Sequence, residues 1–126
     1  MRKRKYMWLD SCLDIFMKSK IGKFFNQRVV ESGFRSITNI EYNGCKLKFC
    51  TPNWISTERA RSFTTKEPET LDWIDSLNHN KVLYDVGANL GIYSIYAAIK
   101  HKNLKVYAIE PSVYNLELLQ RNIVLN

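Results

Sequence analysis

The segment between Val82 and Pro111 constrains the fold more than any other part of the chain. It reads VLYDVGANLG, then an amphipathic stretch, then VYAIEP. An apolar run that enters a glycine turn and is followed by a helix and a second apolar run predicts a β-α-β unit, whose two strands are parallel. We expect strands over Lys81–Val86 and Leu104–Ile109. In neither run do apolar and polar residues alternate, and this pattern predicts strands covered on both faces.

The turn has the spacing Asp-x-Gly-x-x-x-Gly, formed by Asp85, Gly87 and Gly91. A dinucleotide turn needs Gly-x-Gly-x-x-Gly so that the backbone can approach a pyrophosphate. Asn89 and Ile92 place β-carbons at two of those positions, which argues against a pyrophosphate. S-adenosylmethionine has no phosphate, so the spacing favours this ligand. We expect Gly87 to supply a left-handed turn and Gly91 to let the helix start close to the sheet.

An acid follows the second strand. Glu110 lies about 20 residues after Gly91, the separation at which an acidic residue accepts hydrogen bonds from a ribose in nucleotide-binding folds. Ligands of open α/β sheets bind at the carboxyl ends of the strands, so Asp85, Gly87 and Glu110 are expected to share one edge. Asp85 is placed there to receive the ammonium group of the ligand.

Three blocks of sequence resemble the FkbM family of S-adenosylmethionine-dependent methyltransferases. They are DVGANLGIYS at Asp85–Ser94, IEPS at Ile109–Ser112, and an upstream block made of KEPET at Lys66–Thr70 and WID at Trp73–Asp75. The resemblance covers roughly residues 51–126, with the blocks in the family's order. It implies an α/β, Rossmann-like methyltransferase fold and O-methylation of a hydroxyl on a small molecule or glycan, such as a sugar or another natural product.

The resemblance also implies which residues bind S-adenosylmethionine. They are Asp85, Gly87, Ala88, Asn89 and Gly91 on the methionine side, Glu110 at the ribose, Pro111 and Ser112 around the adenosine, and Glu67 and Thr70 in the preceding helix. Glu67 and Pro68 equally fit the start of a helix, with proline at its first position and acids in its first turn. No catalytic base is assigned, because His79 and His101 fit solvated loops or helix ends better.

A complete fold of this family has several more strands than the two that the resemblance supplies. We therefore expect a Rossmann-like fold truncated after the second parallel strand and its following helix, present as an incomplete and inactive fragment. Two other functions stay open. One is a non-catalytic remnant or interaction module that retains the β-α-β unit, and the other is half of an NAD-type oxidoreductase, which Asn89 and Ile92 disfavour.

The chain is predicted to have three segments: a basic amphipathic helical appendage at 1–36, a hairpin and lead-in helix at 37–80, and the start of the cofactor-binding domain at 81–126. The hairpin strands, Ile37–Tyr42 and Cys45–Cys50, flank Asn43-Gly44, a strong two-residue turn signal. We expect this hairpin to cap the sheet and close the pocket. An odd number of cysteines without Cys-x-x-Cys predicts a reduced, cytoplasmic chain with no disulfide framework and no metal site.

Positive charge is concentrated in the appendage. Residues 1–30 hold eight Lys and Arg against Asp10 and Asp14, so they account for most of the net charge of +7. Their apolar residues form a helical stripe: Leu9, Cys12, Leu13, Phe16, Met17, Ile21 and Phe24. This segment either packs on the catalytic domain or rests on an anionic lipid surface, peripheral to a membrane. Nucleic acid is disfavoured as a partner, because aromatic residues are not interleaved with the charge beyond residues 5–25.

Overall fold

The computed structural model describes residues 7–77 and 82–126, with the side chains of the first helix described from Leu9 onward. It divides into two compact units, Met1–Phe34 and Arg35–Asn126. The helices are α1 (Met7–Lys18), α2 (Lys20–Phe34), α3 (Trp54–Arg61), α4 (Phe63–Lys66), α5 (Pro68–Asp75), α6 (Ile92–Lys100) and α7 (Val113–Leu125). The strands are β1 (Ile37–Tyr42), β2 (Cys45–Cys50), β3 (Val82–Val86) and β4 (Lys105–Ile109). The basic residues at 2–5, His79 and Lys81 lie outside the described residues.

The first unit contains two helices where the sequence predicted one. The helix is interrupted at Ser19, between α1 and α2. The Ser19 hydroxyl accepts a hydrogen bond from the Gly22 N–H at 3.0 Å, as a helix N-cap does. A β-carbon at Gly22 would lie 2.0 Å from the Phe16 carbonyl oxygen, so α1 and α2 pack this closely only because position 22 is glycine. None of the helices in the described residues is long and apolar enough to cross a bilayer.

The second unit begins with the predicted hairpin. Strands β1 and β2 are antiparallel and have the predicted bounds. Asn43 and Gly44 both have positive φ, at 45° and 76°, as a two-residue type I′ turn requires. Along β2, Cys45, Leu47 and Phe49 are buried while the lysines between them are exposed. The hairpin therefore has one buried and one solvated face.

The hairpin packs against helices, and none of its residues lines the cavity beside Asp85–Asn89, contrary to the prediction that it closes the pocket. Strand β2 contacts α6 and α7. Two asparagines, Asn122 in α7 and Asn126 directly after it, replace a neighbouring strand at the edge of β2. Asn122 accepts from the Cys50 N–H at 2.7 Å, and Asn126 accepts from the Lys48 N–H at 2.9 Å. Asn122 also donates to the Leu90 carbonyl oxygen at 2.8 Å, which ties the turn after β3 to the same helix.

Strands β3 and β4 form a parallel two-stranded sheet, in which Tyr84 pairs with Tyr107. This makes the unit α/β, as predicted. The prediction that both faces are covered is wrong for the described residues. Leu83 is buried against the core that includes Ile95 and Tyr96 of α6. The side chains of the opposite face are exposed: Val82, Tyr84, Val86, Tyr107 and Ile109.

Helix α3 was not predicted, because its sequence has no apolar stripe. Its start is fixed by a capping box in which the Asn53 side chain accepts from the Ser56 N–H and the Ser56 hydroxyl accepts from the Asn53 N–H. Helix α5 is the predicted lead-in helix and begins with Pro68 at its first position. Between them, Phe63 is buried against Tyr42 and Tyr96, with ring centroids 5.6 and 5.4 Å away.

Candidate functional site

In the turn after β3, every second residue has a left-handed backbone conformation. Gly87, Asn89 and Gly91 have φ of 86°, 54° and 78°. Positive φ is open to glycine and, among other residues, most readily to asparagine, which explains the residue at each position. Gly87 is left-handed as expected. Gly91 was expected to approach the sheet, but its close neighbour is on α7: a β-carbon there would lie 2.2 Å from Leu119 Cδ1.

Backbone N–H groups of this turn donate to acceptors of the protein. The N–H groups of Gly87 and Ala88 both reach the Ile109 carbonyl oxygen, at 2.8 and 3.0 Å. The Asn89 N–H donates to Glu110 Oε2 at 2.7 Å. A phosphate-binding turn directs such groups at the ligand. Three consecutive N–H groups that are already satisfied make this turn a poor pyrophosphate cradle.

The carboxylate of Glu110 joins the turn to the start of α7. Besides the Asn89 N–H, it accepts from the Ser112 N–H at 2.8 Å and from Asn115 Nδ2 at 3.2 Å. These donors, the Ser112 N–H foremost, lower the pKa of Glu110 from its usual 4.5. A carboxylate has about four acceptor positions, so roughly one remains for a ribose hydroxyl while Asn115 stays in place.

Replacing Glu110 with glutamine is expected to make stability less sensitive to acid. The amide keeps the size of the side chain but sets an NH₂ donor against a backbone N–H. Because the folded-state pKa of Glu110 is lowered, its contribution is present above the unfolded pKa and is lost as pH falls through the folded pKa. In urea unfolding at pH 7, the free energy of unfolding of wild type should exceed that of Glu110→Gln. This difference should become smaller below about pH 4.5.

The matched control for this prediction is Glu117→Gln. Glu117 is on the exposed surface of α7, where its carboxylate pairs with Arg121 at 2.9 Å. Exposed pairs contribute little to stability. Two results would contradict the assigned role of the Glu110 carboxylate. One is a loss of unfolding free energy in Glu110→Gln no larger than that in Glu117→Gln, and the other is a loss that increases in acid.

An open cavity of about 350 Å³ lies beside the turn. This is at the lower end of the size range of ligand sites. Its walls come from α3, α4, the end of β3, the turn and the start of α6. The lining residues are Arg59, Ser62, Phe63, Lys66, Glu67, Asp85, Val86, Gly87, Ala88, Asn89, Ile92 and Tyr93. We call this cavity the turn pocket.

The turn pocket brings together five of the predicted cofactor-binding residues, and the other five lie outside its lining. Those in the lining are Glu67, Asp85, Gly87, Ala88 and Asn89. Of the others, Thr70 hydrogen-bonds to Glu67 at 3.4 Å, Gly91 packs against α7, and Glu110 and Ser112 bond to each other. Pro111 is exposed beside them.

Acidic groups converge near Tyr93 in the turn pocket. Burial, followed by the negative charges of Glu67 and Asp85, raises the pKa of Tyr93 to about 12. The phenol is therefore protonated at physiological pH. Asp85 also accepts a hydrogen bond from the Ser94 hydroxyl at 2.6 Å, which orients its carboxylate. This part of the pocket can receive a cationic group such as an ammonium.

Two basic residues of the turn pocket were missed as site residues. Arg59 is on α3 and donates to Asn89 Oδ1, and Lys66 ends α4. Arg59 was missed because α3, the helix that carries it, lacks a periodic apolar face and was not predicted. The Asn53–Ser56 capping pair was the signal that could have revealed the helix.

His101 does not line the turn pocket. His101 was expected either in a solvated loop or at a helix end. It lies at the end of α6, and its side chain is buried. Its Nε2 lies 2.8 Å from the Ile74 carbonyl oxygen, so the ring links α6 to α5. His79 lies outside the described residues. The structure thus gives His101 a packing role and adds no candidate base.

Comparison with known proteins gives one partial similarity. Over 53 residues the chain is 38% identical to "Methyltransferase sdnD" of Sordaria araneosa. The aligned part is 42% of this chain and 20% of that protein, so the chain spans about one fifth of the relative's length. No family model and no solved structure matches the chain. The chain is therefore similar, over part of its length, to a methyltransferase.

Proposed function

We propose that the Arg35–Asn126 unit is the start of an S-adenosylmethionine-dependent methyltransferase of FkbM type, which O-methylates a sugar, glycan or other natural-product hydroxyl. The observation that carries the proposal is the turn of Asp85–Gly91, whose N–H groups at 87–89 are bonded within the protein beside a pocket that contains two carboxylates. Such a turn suits a ligand with an ammonium group and no phosphate. The partial similarity to a methyltransferase supports the same class of reaction.

The described residues would hold and align such a cofactor. S-adenosylmethionine, when bound, supplies an activated methyl group. Asp85 and Glu67 receive its ammonium, and Glu110 accepts one ribose hydroxyl through its remaining acceptor position. Pro111 and Ser112 follow on the adenosine side. Methyl transfer depends mainly on alignment of the reacting groups. We assign no acceptor site or general base to the described residues.

Binding of S-adenosylhomocysteine and NAD to the same preparation tests this proposal. Saturation-transfer difference NMR detects weak binding through the ligand's own protons. We expect saturation of the S-adenosylhomocysteine protons and little of the NAD protons. Preference for NAD would favour the oxidoreductase alternative. Absence of binding by either ligand would favour the interaction module, and both results would contradict the proposal.

We also propose that this unit is part of a larger sheet. The support is the exposed apolar face of β3 and β4, where Tyr84 and Tyr107 stack at 5.2 Å, and an apolar groove of about 730 Å³ along β4, α6 and α7. Parallel sheets are normally covered on both faces. Without further strands the chain is expected to transfer no methyl group from labelled S-adenosylmethionine to candidate acceptors. Turnover by the chain alone would contradict this.

For the first unit we propose contact with an anionic membrane surface. Leu9, Leu13 and Phe16 lie on one face of α1 and are exposed, as are residues at helical spacing on α2: Ile21, Phe24, Phe25 and Val29. Four of the first five residues are basic. Exposed apolar side chains together with a basic cluster supply the two signals that bind a peripheral protein to anionic lipid.

Vesicle sedimentation should detect this contact. The chain is expected to pellet with phosphatidylserine-containing vesicles at low salt, less at high salt, and less with phosphatidylcholine alone. The variant Phe24→Ser with Phe25→Ser should reduce pelleting. Ile55→Ser, which removes a similarly exposed apolar residue from α3, is the control and should not. Equal pelleting of both variants and wild type would refute the proposal.

A further inference from the structure

The turn pocket holds two cations in addition to its two acids. Glu67 and Asp85 carry the negative charges, and Arg59 and Lys66 the positive ones. A cavity with both signs of charge matches a zwitterion, such as the α-amino-acid end of S-adenosylmethionine. The acids account for an ammonium, which leaves the partner of a carboxylate to be found among the cations.

Arg59 fits that role better than Lys66. Lys66 is 65% exposed in its side chain and lies 3.9 Å from the Glu67 carboxylate. Arg59 is partly buried at the turn, and its hydrogen bond goes to Asn89, a neutral acceptor. Among the described residues no carboxylate lies within ion-pair distance of Arg59, and Glu110 attracts it only at longer range. A bound carboxylate would give this partly buried cation a close, hydrogen-bonded anion.

We propose that the Arg59 guanidinium binds the carboxylate of the cofactor's amino-acid end. The inference rests on the proposed function. Its bond to Asn89 uses one of five N–H donors, and the planar fork of arginine matches a carboxylate with two parallel hydrogen bonds. The same bond to Asn89 fixes the guanidinium next to the left-handed turn. Arg59 is thus the residue that distinguishes an amino-acid-bearing adenosine ligand from a plain nucleoside.

A series of three ligands isolates the carboxylate. S-adenosylhomocysteine carries ammonium and carboxylate, its decarboxylated analogue keeps the ammonium, and 5′-methylthioadenosine lacks both. Affinities come from titrations of ¹⁵N-labelled chain followed to millimolar ligand. We expect Arg59→Ala to weaken S-adenosylhomocysteine by roughly tenfold or more, the usual effect of losing a hydrogen bond to a charged group. The other two ligands should change by less than about twofold, within the scatter of independent sites.

Controls separate this role from a structural one. Arg61→Ala removes an exposed arginine of the same helix that does not line the turn pocket, and it should leave all three affinities unchanged. Arg59→Lys keeps the charge without the fork and should fall between wild type and Arg59→Ala. The dispersion of core amide signals, such as that of Tyr96, reports that each variant is folded. The Arg59 Nε–H signal of wild type should shift with S-adenosylhomocysteine only.

Three outcomes would overturn the inference in distinguishable ways. Equal weakening of all three ligands by Arg59→Ala would show that Arg59 acts by holding the turn through Asn89, while the proposed function stands. If Arg59→Ala changes none of the three affinities, Arg59 does not bind the carboxylate, and the proposed function again stands. Failure of wild-type chain to bind any of the three ligands would overturn the proposed function, and the role of Arg59 with it.

Discussion

Replacing Asn122 with alanine should destabilise the Arg35–Asn126 unit by about 2–6 kcal/mol, since each buried backbone group that loses the Asn122 amide costs roughly 1–3 kcal/mol. Asn122 is fully buried, and its amide satisfies two backbone groups, the Cys50 N–H and the Leu90 carbonyl oxygen. Alanine leaves both without that partner. Urea unfolding followed by circular dichroism measures the loss.

Asn126→Ala is a closely matched comparison. Asn126 lies one helical turn later and bonds to the Lys48 N–H and carbonyl oxygen at 2.9 and 2.7 Å, but at an exposed position. Water can replace its amide there, so the loss should stay within about 1 kcal/mol, the net value of an ordinary hydrogen bond. If the two variants lose equal stability, burial is not what makes Asn122 important.

Gly91→Ala is expected to be nearly as damaging, at about 2–5 kcal/mol. A left-handed residue with a β-carbon costs about 1–2 kcal/mol, and overpacking a core about 1–3 kcal/mol more. Both apply here, because Gly91 has φ of 78° and its added carbon would lie 2.2 Å from Leu119 Cδ1. Thermal and urea unfolding would report the loss.

Gly44→Ala separates the two contributions. Gly44 has nearly the same φ, 76°, but a β-carbon there meets no atom within 4 Å. It should lose only the backbone contribution of about 1–2 kcal/mol. Combining Gly91→Ala with Leu119→Ala should also cost less than the sum of the two single changes, because truncating Leu119 makes room. Strict additivity would contradict the assigned contact.

Local signals in the sequence predicted most of the second unit. The Asn43-Gly44 turn, the alternation of Cys45, Leu47 and Phe49, and the glycine turn at Gly87 depend on residues close together in the chain. Each therefore leaves a pattern that can be read without knowing the fold. The parallel pairing of β3 and β4 followed from the helix predicted between them, which makes a β-α-β unit.

What could not be predicted depends on long-range contacts. The sequence gives no sign that Asn122 reaches Cys50 or that Leu119 packs on Gly91, because nothing local marks either pair. Arg59 was missed as a pocket residue for a different reason: α3 has a cap but no apolar stripe, so the helix that carries Arg59 was not predicted. The break at Ser19 was missed because an apolar stripe continues across it.

We propose above all that the turn of Asp85–Gly91 binds S-adenosylmethionine and not a dinucleotide. Backbone amide spectra of ¹⁵N-labelled chain, titrated in parallel with S-adenosylhomocysteine and with NAD, test it most directly. Gly87→Val places a branched side chain at φ of 86° and should therefore abolish the amide shifts that ligand binding causes. We expect the backbone amide signals of the turn to shift with S-adenosylhomocysteine and not with NAD. Equal or larger shifts with NAD, or shifts that persist in Gly87→Val, would contradict it.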